Sequence, residues 1–147
     1  MKLSSILLSA GLMLLAPLVS QAQNDSKYGE TEEQQLLCKE ALSVYKSYKK
    51  QKNYDEAYIQ WRKACEVCPE TASEGLYADG TSFIGKELKK VAAEDPRHAV
   101  LVDSLMYLHD KRMELYPSTK RNPNNRCVVL GRKATDFYEY NKDAHQE

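Results

Sequence analysis

The stretch Asn53 to Glu70, NYDEAYIQWRKACEVCPE, places Cys65 and Cys68 three residues apart and follows them with Pro69. A Cys-x-x-Cys pair exchanges thiols and disulfides when one sulfur is held as thiolate, and it is also half of a tetrahedral zinc site. The helix that carries the pair bears on which chemistry is open. Exchange-active pairs stand at a helix amino terminus, where the dipole and free N–H groups stabilise the thiolate. Here the pair stands at a carboxyl terminus, and Pro69 pushes Cys68 out of helical geometry. Residues three apart on a helix have Cβ atoms about 5 to 6 Å apart, against about 3.5 to 4.5 Å across a disulfide. A thiol-disulfide factor using Cys65 and Cys68 is therefore the alternative reading, and free thiols and a zinc site also stay open.

Other reactive residues lack the company that chemistry requires. His98, His109 and His145 have no Glu-x-x-His or His-Glu-x-x-His spacing. Ser104 lies near Asp103 and His109, but without a strained nucleophile turn or a Gly-rich oxyanion loop. Gly80 and Gly85 do not make a phosphate loop. The reading is non-enzymatic: no catalytic residue, no metal site and no cofactor is assigned.

The elements that position these residues are helical. Gly and Pro are few, Ala, Leu, Lys and Glu are many, and no alternating β-branched run occurs. From Thr31 to Lys50, apolar or small residues recur at Leu37, Cys38, Ala41, Leu42, Val44, Tyr45 and Tyr48, one broad helical face. Thr31 with Gln34 makes a capping box, and Glu32 and Glu33 suit the helix start. Tyr54 to Val67 carries Tyr54, Ala57, Tyr58, Trp61, Ala64 and Cys65 on one face, and the polar turn Gln51 to Asn53 folds the two helices into an antiparallel hairpin. Further helical patterns occupy Thr71 to Glu94, Pro96 to Tyr116 and the segment from Cys127 onward.

The chain of 147 residues opens on Lys2, an apolar run from Ile6 to Val19, and small residues at Ser20 and Ala22. That is the layout of a cleaved secretory signal over 1–22, and the run is shorter than the roughly 20 residues that span a bilayer. No cysteine stands at the cleavage point, where Gln23 follows Ala22, so a lipoprotein anchor is not expected. Residues 23–30 read as a flexible lead-in and 31–147 as one domain. The expectation is an exported chain, periplasmic or associated with the outer membrane, with no transmembrane segment after cleavage. Lys plus Arg, 21, equals Asp plus Glu, 21, which speaks against a nucleic-acid binder.

The second helix resembles the second helix of a tetratricopeptide repeat, with Tyr54, Ala57, Trp61, Ala64 and Pro69 at the family's spacing. Later segments match in part: Leu76, Gly80 and Phe83, with Asp79 where an apolar residue belongs; a fourth helix with Arg112 in place of alanine; and Leu130 with Gly131. The Cys-Lys-Glu start, the Cys-x-x-Cys-Pro helix end, DGTSFI and VLGRKA also resemble the amino-terminal part of exported repeat proteins of Bacteroidota. The resemblance implies an all-α, right-handed solenoid of stacked antiparallel helical hairpins that binds a protein or peptide, with an envelope complex as one setting. It also implies that the last helix is a cap, or that the chain is a shortened form of a longer scaffold.

Two surfaces follow. Numbering levels along the hairpin sets Cys38 beside Cys65, with Cys68 one turn further on; in an exported protein this points to a structural disulfide from Cys38 to either one. Levels favour Cys65, while the looser backbone before Pro69 favours Cys68. Cys127 is expected too far away to join. Lys39, Leu42, Lys46 and Lys49 recur three and four apart on one face. The resemblance makes that face groove-lining and puts Arg132 at the place equivalent to Lys46, so a basic groove would favour an acidic or carboxylate-bearing peptide. A solvated lysine face that keeps the helix soluble is the plain alternative.

Overall fold

The computed structural model describes residues 26–123 and 125–141; the expected signal and residues 142–147 lie outside the described residues. The described chain is all-α, without a strand. Its helices are α1 (Glu32–Lys50), α2 (Tyr54–Val67), α3 (Glu74–Leu88), α4 (Pro96–Leu115) and α5 (Asn125–Asn141). At the end of the lead-in, Ser26–Tyr28 forms a 3-10 turn that packs against α1.

Local sequence accounts for the helix limits. The Thr31 side chain accepts the Gln34 N–H while Gln34 Oε1 accepts the Thr31 N–H, both at 3.2 Å, so the expected capping box forms. Lys52 takes a positive φ of 61° and turns the chain between α1 and α2, and Asn53 then caps α2. Cys68 is extended ahead of Pro69, which stops α2 as expected. Ser73 and Asp95 cap α3 and α4, with Pro96 at the first turn of α4, where its missing N–H costs nothing.

Successive helices run antiparallel. Cys38 near the start of α1 meets Cys68 at the end of α2; Glu74 at the start of α3 meets Arg112 near the end of α4; His98 in the first turn of α4 meets Tyr140 near the end of α5. Alternate helices therefore run parallel. α1, α3 and α5 are tied in sequence by Lys49 with Asp79 and by Tyr140 Oη donating to Gly85 O at 3.2 Å. The turn that follows α2 is tied to α4 by Lys111 Nζ to Glu70 Oε2 at 3.2 Å.

Trp61 sits where α2 meets α3. Its Nε1 donates to Leu76 O at 2.8 Å, and its rings pack against Tyr58 and Phe83 at centroid distances of 5.8 and 5.9 Å. Close packing there requires Gly80, because a Cβ at that position would lie 2.4 Å from Trp61 Cζ2. The two departures from an apolar pattern are each neutralised by a neighbouring helix: Asp79 by Lys49, and Arg112 Nη2 by Glu74 Oε1 at 2.8 Å.

Candidate functional site

Cys38 pairs with Cys68, with Cα atoms 4.8 Å apart and sulfurs 2.05 Å apart, while Cys65 and Cys127 are free. The helix-level estimate pointed to Cys65, and azimuth overrules it. Ala57, Trp61 and Ala64 form the buried stripe of α2, and Cys68 continues that stripe one turn beyond Ala64. Cys65 is rotated off the stripe toward the far side of α2, where it borders a cleft shared with α4. Cys65 is exposed at the rim of that cleft, where partial desolvation, aided by the Glu66 charge, pushes its thiol up to about 12. Both effects act against the thiolate that exchange chemistry needs.

The proposed groove residues do not form a single open stripe. Leu42 is 5% exposed and belongs to the α1–α2 core. Lys49 is engaged by Asp79. Lys39 lies 5.3 Å from the centroid of the Tyr28 ring, and Lys46 is exposed with its Nζ 5.9 Å from that of Tyr45. Burial and the nearby Asp79 carboxylate hold the Tyr45 phenol above its usual range.

Arg132 has a more defined setting. It edges a groove of about 520 Å³ between α3 and α5, lined by Ala78, Thr81, Ser82, Val128, Gly131 and Thr135. Gly131 leaves open space here: a Cβ added to it meets nothing within 4 Å. No carboxylate pairs with Arg132 among the described residues; Asp79 is taken by Lys49 and Asp136 by His109.

The floor of this groove holds a pair that sequence reasoning missed. His109 is 1% exposed, and its Nε2 lies 2.6 Å from Asp136 Oδ2, while Nδ1 is buried without a hydrogen-bond partner. The two residues are 27 apart in sequence. The available signal was geometric, since both face the α4–α5 contact in an antiparallel pairing. Among the described residues no cluster of three or more His, Cys, Asp or Glu could hold a metal ion, and no helix is long and apolar enough to cross a membrane.

No protein-family model matches the chain, and neither the curated proteins nor the solved structures searched contain a match.

Proposed function

We propose that this chain is an exported helical-repeat scaffold of tetratricopeptide type, a right-handed stack of hairpins that binds another protein or peptide and performs no chemistry. The carrying observation is the α3–α5 groove, with small side chains along its length and the unpaired Arg132 at its edge. Small residues allow a peptide backbone to approach closely. A guanidinium without an internal partner provides a charge-assisted, bidentate contact for a carboxylate on the incoming chain. The sequential antiparallel helices and the parallel α1, α3 and α5 support the repeat reading, and the apolar leader ahead of residue 23 supports export.

The test is affinity capture from the native envelope with mass-spectrometric identification, run beside Arg132→Glu and Gly131→Leu. The first reverses the charge at the groove's edge, and the second adds bulk at a lining position where an added Cβ meets nothing within 4 Å. A partner retained by wild type and lost from both variants is the expected result. Partners that ignore both variants would remove the groove from the proposal.

A periplasmic thiol-disulfide factor remains the competing reading, because Cys65 lies one helical turn from the bridged Cys68. Thiol counting separates them. A scaffold keeps the Cys38–Cys68 bridge in mild reductant, and Cys65, its thiol raised, alkylates more slowly than an ordinary exposed thiol. Rapid alkylation of Cys65 near neutral pH, with bridge exchange in mild reductant, would favour the thiol factor.

A further inference from the structure

A second concavity lies on the side of the molecule formed by α2 and α4. These helices run parallel with α3 recessed between them, leaving a cleft of about 780 Å³. Leu76 and Ile84 form its floor, Tyr58 and Trp61 one wall, and Leu101 and Tyr107 the other. The Lys111–Glu70 contact closes one end. Arg62 and Glu66 line the cleft from α2, and Asp103 and Tyr107 line it from α4. Arg62, Glu66 and Asp103 are exposed and have no ion-pair partner among the described residues. Val100 and Tyr107 extend the apolar surface along the α4 ridge, 65% and 53% exposed.

We infer that this cleft docks a cationic amphipathic helix of a partner protein. Two carboxylates against one guanidinium give the rim a net negative charge, and the faces of Tyr58 and Tyr107 add a preference for cations. The open length before the closed end is about two helical turns, which suits apolar anchors spaced three and four residues apart on a docked helix. Lys or Arg side chains flanking those anchors reach Glu66 and Asp103, and one acidic residue of the docked helix meets Arg62. The surface is separate from the Arg132 groove, and the inference does not depend on that groove being occupied.

The chain holds a single tryptophan, Trp61, in the cleft wall, so its fluorescence reads occupancy directly. The probes are a short synthetic helix of Leu and Lys, the same helix with Glu for Lys, and anilinonaphthalene sulfonate as a small apolar ligand. The experiment uses the intact oxidised protein at low salt. The Lys peptide should give a saturable change in Trp61 fluorescence, and the Glu peptide should give none. Glu66→Gln and Asp103→Asn should each weaken binding about two- to five-fold, the usual weight of an exposed charge pair, while Arg132→Glu leaves it unchanged. Equal binding of both peptides, binding indifferent to the rim variants, or no peptide binding would overturn the inference. Saturable binding of the sulfonate alone would overturn it too, by making the cleft a small-ligand pocket.

Discussion

The first hairpin and the α4–α5 pair are built from the same kind of element but held by different forces. Between α1 and α2 the contact is apolar and covalent: Cys38, Leu42 and Tyr45 of α1 and Ala57, Trp61 and Ala64 of α2 are buried, and the disulfide ties the open end. α5 buries only Asn125 and Val129. Beside the edge-on contact of Tyr140 with His98, its ties to α4 and its cap are polar: His109 to Asp136, Lys133 Nζ to Asp110 Oδ1 at 2.5 Å, and Asn125 Nδ2 donating to Tyr116 O at 2.8 Å. Burial of apolar surface contributes about 25 cal/mol per Å², whereas an exposed ion pair contributes about 0 to 1 kcal/mol. The hairpin should therefore be the stable end of the molecule and α5 the first element to open. In hydrogen exchange, α5 amides should exchange well before those of α1 and α2; uniform protection would dissolve the contrast.

The largest effect should come from Trp61. Trp61→Ala empties the junction of α2 and α3 and frees the Leu76 carbonyl, and should cost about 3 to 5 kcal/mol in denaturant unfolding. Gly80→Ala attacks the same contact from the opposite wall. A loss within a few tenths of a kcal/mol for either variant would show that the two helices do not meet as described.

Next comes the bridge. It closes a separation of 30 residues, for which the chain-entropy model gives roughly 3 to 4 kcal/mol. Cys38→Ser should lower the melting temperature, and reductant should do the same to wild type but add little in the variant. Peptide mapping without reductant should recover Cys38 joined to Cys68. Recovery of Cys65 joined to Cys68, with Cys38 alkylated, would reverse the assignment.

At α5 the decisive substitutions are at its polar pair. Asp136→Leu leaves the His109 imidazole buried with neither ring nitrogen satisfied, a cost of about 1 to 3 kcal/mol. Removing both partners in His109→Leu/Asp136→Leu should recover most of that loss, since replacing both sides of a buried hydrogen bond with apolar groups is nearly neutral. If the double variant is as unstable as the single one, packing rather than hydrogen bonding holds α5 to α4.

The contrast also explains what could be read in advance. The first hairpin was legible because each helix has one apolar stripe, a capping signal at its start and a turn of three residues, so Trp61, the Thr31 box and the stop at Pro69 all follow from local sequence. What failed was rotation. Levels along the hairpin favoured Cys65 and the looser backbone before Pro69 favoured Cys68; the stripe through Ala57, Trp61 and Ala64 selects Cys68. α5 was harder because it has apolar residues on two faces: Val129 turns inward, while Leu130, Phe137 and Tyr138 stay 54%, 46% and 74% exposed. With no single stripe, its rotation depends on contacts with His109 and Asp110 of the preceding helix and with Tyr116 at its cap, which α5's own pattern does not specify. The Lys49–Asp79 pair was hidden for the same reason, since Asp79 looked like a broken pattern until α1 lay beside it.

The smallest prediction separates the two halves by one methyl group. Gly80 and Gly131 both lie inside helices, where glycine is destabilising by roughly 0.5 to 1 kcal/mol relative to alanine because of its backbone entropy. At Gly80 that cost is outweighed, since the added Cβ would lie 2.4 Å from Trp61 Cζ2 and 3.0 Å from Leu108 Cδ1. At Gly131 no atom comes within 4 Å, so nothing opposes the gain. Gly131→Ala should therefore raise stability by about 0.5 to 1 kcal/mol, and slow exchange in α5 more than in α1. The same substitution narrows the α3–α5 groove only slightly, so a partner lost from Gly131→Leu but kept by Gly131→Ala would show that glycine serves there for space, at a cost in helix stability. If Gly131→Ala destabilises α5, that backbone is not helical in solution, and the groove beside Arg132 has a different shape.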